Sequence, residues 1–191
     1  MPGRPSAARQ RWSRLGATTA LLLLWPIHMA AAQDAALVEY AVKAAYLYKF
    51  APFVEWPPGA FDGASGAVNL CVVGFDPFGP ILDETVEGQA IGGRPIALRR
   101  LPTVDADAGC HILYAGGSPA QPIPGILDAV AGTPVLTFTD ATLTPDDKGI
   151  VHFVVQENRV RFEIDDQAAA ENGLLISAKV LSLALSVRPR S

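Results

Sequence analysis

Four short apolar runs, set between helical stretches, constrain the fold of this chain more than any single motif does. Val68–Gly74, Pro95–Leu101, His111–Ala115 and Pro134–Phe138 read as strands, and Pro80–Glu87 and Ile123–Val130 read as helices between them. Strands separated by helices predict an α/β sheet with parallel pairing. Val68–Gly74 and the run that opens at Cys110 are apolar without alternation, as strands covered on both faces are. The pattern then changes. Ile150–Gln156 and Arg159–Ile164 are separated only by Glu157-Asn158, which predicts a hairpin. In its second strand Val160, Phe162 and Ile164 alternate with Arg159, Arg161, Glu163 and Asp165, giving one buried and one wet face. The expected architecture is a three-layer sandwich: a mostly parallel mixed sheet of about six strands, ending in an antiparallel hairpin and flanked by helices.

Two further helices bracket this core. Leu37–Phe50 is apolar around most of its circumference, with Glu39 and Lys43 forming an i, i+4 pair. A helix that greasy has to be covered on more than one side. Pro52 ends it, and Phe53–Pro58 runs out extended. Near the C-terminus, Ser177 is placed to cap a helix over Ala178–Val187.

The N-terminus has the layout of a secretory leader. Arg4, Arg9, Arg11 and Arg14 precede an apolar run from Leu15 to Trp25, and Ala30 and Ala32 offer an Ala-x-Ala cut before Gln33. The run is broken by Pro26 and His28, whereas a membrane span needs ~20 apolar residues. The expectation is a signal peptide over residues 1–32 and a single exported domain over residues 33–191. The four arginines leave with the leader and no acid does, so the mature chain carries 11 basic and 19 acidic residues, a net charge of −8. That balance argues against nucleic acid, whose binding needs clustered cations.

Cys71 and Cys110 are the two cysteines. If their strands are neighbours the sulfurs can bridge, as an oxidising compartment favours; the alternative is a pair of buried free thiols.

Catalytic chemistry has few parts to work with. His111 and His152 are the histidines of the mature chain, no HxH or HExxH spacing occurs, and no metal site is expected. Cys110 and His111 are adjacent on a strand and so point to opposite faces, which argues against a thiolate–imidazole pair. Val73–Pro80 follows a strand and precedes a helix, where α/β folds often bind ligands, but it is not GxGxxG. Gly116-Gly117-Ser118 can hold an anion through its amides or can simply make a turn. An enzyme and a cofactor are therefore not expected. The loops Phe75–Pro80 and Gly116–Pro119 keep a small-ligand receptor open as the alternative reading.

Several segments taken together resemble one known family. They are Val42–Phe50 with Phe53–Pro57, Leu70–Gly79, Cys110–Tyr114, Arg159–Ile164 and Gly173–Ala184. In order and spacing they resemble the YfiR/HmsC-like periplasmic proteins. The resemblance implies a repressor that binds the periplasmic domain of a membrane diguanylate cyclase, lowering cyclic di-GMP and biofilm formation. It also implies a homodimer, and release either by a peptidoglycan-associated, OmpA-like lipoprotein or by disulfide reduction. Some members carry a second cysteine pair near the segment equivalent to Thr142–Phe153. This chain has none there, which leaves Cys71 and Cys110 as the pair available for redox control. The expected partner contact is the C-terminal region, at Phe162, Glu163, Leu174, Leu175 and Ile176, with Leu174 and Leu175 exposed before the last helix.

Overall fold

The computed structural model describes residues 25–61, 66–144 and 146–191, with side chains from residue 35 onward. The leader arginines and the apolar run from Leu15 lie outside the described residues. Residues 36–191 form one compact unit; residues 1–35 form another, described only as the start of a helix. That helix, α1, spans Trp25–Lys49, so it begins well before the expected Leu37 and runs through the expected cleavage point. The alanine-rich stretch Ala30–Ala36 favours helix over most alternatives. No described helix is long and apolar enough to cross a membrane.

A 3-10 turn over Ala51–Phe53 ends α1 and leads into a two-residue strand β1, Val54–Glu55. The main sheet follows: β2 (Val68–Gly74), α2 (Pro80–Val86), β3 (Ala90–Ile91), β4 (Arg94–Leu101), β5 (Ile112–Gly117), α3 (Ile123–Ala129) and β6 (Leu136–Asp140). The hairpin is β7 (Val151–Gln156) and β8 (Arg159–Asp165), paired antiparallel from Val151↔Ile164 to Gln156↔Arg159. Glu157 and Asn158 both take positive φ at its tip, the backbone that a two-residue turn with right-handed strand twist demands. Among the described residues the sheet has eight strands in the order β10-β8-β7-β6-β5-β2-β4-β3. The six strands expected from sequence are all present; the two added ones, β3 and β10 (Val187–Arg188), are two-residue edge strands.

The core lies on both sides of this sheet. Val68, Leu70, Val72, Ile112, Tyr114, Leu136 and Phe138 face Ala44 and Leu47 of α1, Phe50 just after it, and Leu82 of α2. Cys71, Val73, Leu113 and Ala115 face Ile123 and Ile126 of α3. On that second side Cys71 and Cys110 form a disulfide, with Cα atoms 5.9 Å apart. It ties β2 to the chain entering β5 and closes a 39-residue loop, a constraint worth up to about 4 kcal/mol.

The C-terminus departs from expectation. Asp166–Glu171 is a helix, α4, capped by the Asp165 side chain, and Leu175–Ile176 is a strand, β9, paired antiparallel with β1. The helix after Ser177, α5, covers only Ala178–Leu181. Sheet pairing overrides helix propensity beyond it: Leu185 N–H donates to Phe162 O (2.9 Å) and Ile164 N–H to Ser186 O (3.0 Å), drawing the chain into β10 beside β8. Ser177 sits at the N-cap position but makes no capping bond, and its hydroxyl is buried without a partner among the described residues.

Candidate functional site

In an open α/β sheet, the first place to look for a ligand is the crevice at the strand ends where chain order reverses. Here that point lies between β2 and β5, under the loops Phe75–Pro80 and Gly116–Pro119. It is sealed by backbone. Phe75 N–H donates to Gly117 O at 2.8 Å. A Cβ on Gly116 would stand 1.8 Å from Phe75 O, and one on Gly74 2.3 Å from Gly117 O, so the glycines are there to let two strand ends touch. Arg100 clasps the loop from outside, bonding Asp76 (2.7 Å), Asp83 (2.6 Å) and Gly79 O (2.9 Å). The hydrogen bond from Arg100 holds the Asp83 carboxyl below the usual carboxylate range, and both carboxylates raise the guanidinium. The two loops named for a small-ligand receptor are bonded to each other through Phe75 N–H and Gly117 O.

The seal continues beneath α1. Lys43 is fully buried; its Nζ bonds Asp140 Oδ2 (2.6 Å), Thr142 Oγ1 (3.1 Å) and the Glu39 carboxylate. The sequence reading had this lysine paired with Glu39 alone and missed its role. A signal was available, because Lys43, Leu47 and Phe50 share one helical stripe, so the lysine points with the core residues. Beside it the Tyr114 hydroxyl is buried with no partner among the described residues; burial, then the nearby Asp140 carboxylate, push its phenol upward.

His111 and His152 have structural partners. His111 Nδ1 accepts from Asn69 N–H (2.9 Å), its Nε2 donates to Ala60 O (3.0 Å), and the ring stacks on Phe61. His152 Nδ1 lies 2.8 Å from Thr139 Oγ1. Burial lowers both imidazoles. Among the described residues no group of three or more His, Cys, Asp or Glu converges as a metal site.

The hairpin end is different. The last turn of α1, the face of β8 and α5 enclose a groove of about 370 Å³ lined by Tyr46, Phe50, Phe53, Val160, Phe162 and Leu183, among others. Its floor is an aromatic cluster: Phe50 meets Phe162 at 4.9 Å and Phe138 at 5.5 Å, and Tyr46 meets Phe162 at 5.9 Å, mostly edge to face. Its rim is cationic. Lys49 and Arg161 line it, and Lys179 lies 5.3 Å over the Phe53 ring.

The five residues expected at the contact separate here. Phe162 is buried in the floor of the groove. Glu163 is on the opposite face of β8, paired with Lys148 at 2.6 Å. Leu174 is fully buried and Ile176 nearly so, contrary to the expected exposure of Leu174, while Leu175 is 49% exposed. Strand alternation through Leu174-Leu175-Ile176 explains the correction: the outer two point inward and the middle one outward. A second apolar patch lies on α1, where Leu37, Val38 and Val42 remain exposed.

The model of the YfiR/HmsC-like family matches residues 40–185, from within α1 to the residue that pairs with Phe162. The chain belongs to the YfiR/HmsC-like family. It is a regulatory, periplasmic family associated with control of diguanylate cyclases. No curated protein matches the chain.

Proposed function

We propose that this YfiR/HmsC-like protein represses an inner-membrane diguanylate cyclase by binding the cyclase's periplasmic domain in the groove between α1, β8 and α5. The observation that carries the reading is the aromatic floor of that groove under a rim of Lys49, Arg161 and Lys179. Such a surface fits an apolar side chain flanked by carboxylates, with the aromatic anchor supplying affinity and the charges supplying orientation. The leader is removed before Gln33, which places the domain in the same compartment as its partner. The exposed stripe of Leu37, Val38 and Val42 is the surface offered to a second copy in a homodimer. An OmpA-like lipoprotein that competes for the groove would release the cyclase. The receptor reading gains nothing from the switch-point loops, which are bonded to each other.

Leu183→Glu with Arg161→Glu tests the contact, since Leu183 is 58% exposed and neither change touches the buried floor. Calorimetry against the purified periplasmic domain of the cyclase should show binding weakened at least about tenfold, and cells carrying the double variant should have the high cyclic di-GMP of a deletion strain. Wild-type affinity in a folded double variant removes the groove from the proposal. Unchanged cyclic di-GMP on deletion, in a cell that contains the cyclase, removes repression.

A further inference from the structure

The other face of the same hairpin holds a second concavity, distinct in chemistry. Strand alternation sends Val151, Phe153, Phe162 and Ile164 into the core under α1, so His152 and its cross-strand neighbour Glu163 face the opposite way. There they line an open cavity of about 410 Å³ together with Lys148, Asp165, Ser186 and Arg188. Two ion pairs border it: Lys148 with Glu163 at 2.6 Å, and Arg188 with Asp165 at 3.1 Å.

His152 is 98% buried by its 2% exposure, yet one nitrogen is not used. Thr139 Oγ1 accepts the Gly149 N–H at 2.8 Å and is hydrogen-bonded to His152 Nδ1, also at 2.8 Å. The other ring nitrogen, Nε2, has no hydrogen-bond partner among the described residues. On a side chain buried this deeply, an unpaired nitrogen that still meets solvent opens onto the cavity, where a ligand atom can reach it.

We propose that this cavity binds a small polar zwitterion, a free α-amino acid with a polar side chain. The ion pairs decide between ligand charges. An anion taken by Lys148 would displace Glu163 and leave that carboxylate uncompensated, and a cation taken by Glu163 would do the reverse to Lys148. A zwitterion replaces both partners at once: its carboxylate faces Lys148 and Arg188, its ammonium faces Glu163 and Asp165, and the cavity stays balanced. His152 Nε2 meets the ligand's polar side chain. Among the described residues no Phe, Tyr or Trp lines the cavity, so a large apolar side chain finds little surface there. Glu163 thereby serves this site rather than the groove behind it.

The test uses L-glutamine as probe and the isolated protein, with no cyclase present, so that failure here says nothing about repression. Titration followed through the His152 ring resonances should give a saturable shift with a Kd of about 1 mM or tighter. N-acetyl-L-glutamine, which lacks the ammonium, and L-glutamine methyl ester, which lacks the carboxylate, should each bind at least about tenfold more weakly. Glu163→Gln and Lys148→Met lie at the surface and should weaken the amino acid about tenfold without lowering the thermal midpoint. No saturable shift overturns the proposal, as does binding of either blocked analogue as tightly as L-glutamine, or full affinity in both folded variants.

Discussion

Two regions of the sheet solve opposite problems with the same kinds of strand. At the β2–β5 reversal, where an α/β fold opens a crevice, Gly74, Gly116 and Gly117 bring backbone against backbone and Arg100 fastens the loop over it. At the β7–β8 hairpin, one face carries an aromatic groove with a cationic rim, and the other a polar cavity over His152. Position in a fold therefore predicts a ligand site only while the backbone leaves room there. In this chain the room has moved to the sheet's antiparallel end, where wet strand faces and short elements meet.

Gly116→Val attacks the sealed region most directly and should have the largest effect. The added Cβ would overlap Phe75 O, a backbone atom that cannot rotate away, so strand ends must separate. A loss of more than about 4 kcal/mol is expected, enough to consume most of the stability of an ordinary domain. Thermal unfolding and soluble yield measure it. Leu183→Glu in the open region should leave the midpoint within the range of ordinary surface changes, about 0.5 kcal/mol. Equal midpoints for the two variants would dissolve the distinction between the regions.

Lys43→Met asks whether α1 belongs to the seal. Removing a buried cation leaves Asp140, which is 1% exposed, with an uncompensated charge. Breaking a buried pair in this way costs about 3–5 kcal/mol. Adding Asp140→Leu should return part of the loss, because the pair, not the lysine alone, sets the requirement. Chemical denaturation of the single and double variants reads the coupling. A double variant that is less stable than Lys43→Met would mean that Asp140 serves another partner, with Thr142 the first to examine.

Much of this arrangement was written locally in the chain, and some of it was not. The continuous apolar runs announced β2, β5 and β6, and Glu157-Asn158 between alternating strands announced the hairpin, because those signals depend on near neighbours. The bridge between Cys71 and Cys110 followed once the strands were neighbours. What escaped was decided at a distance. The segment after Leu181 has helical periodicity, but its amides pair with β8, and β9 exists only because β1 runs beside it. Lys43 looked like one half of a helix-surface pair until Asp140, nearly a hundred residues away, supplied the other partner. The exposure of Leu174 could not be read from three consecutive apolar residues, whose inward and outward members are set by register alone.

Acid should distinguish the surroundings of the two buried histidines by a smaller margin. Burial lowers the imidazoles of both His111 and His152 below their ordinary value. An unfolded histidine then binds its proton at higher pH than the folded one, so stability is complete above about pH 6.5 and falls as pH drops through the folded values. Each group contributes at most about 1.4 kcal/mol per pH unit within that window. The two surroundings differ. Both His111 nitrogens are engaged, and a proton added to Nδ1 would confront the Asn69 N–H, with Arg94 the nearby charge. His152 has Glu163 and Asp140 to favour its cation, against Lys148 and Lys43. His111→Asn should therefore flatten the loss of thermal midpoint between pH 7 and pH 5 more than His152→Asn does. A larger flattening from His152→Asn would show that the polar cavity resists protonation more strongly than the closed surroundings of His111 at the start of β5, and the hairpin would then hold the less tolerant of the two imidazoles.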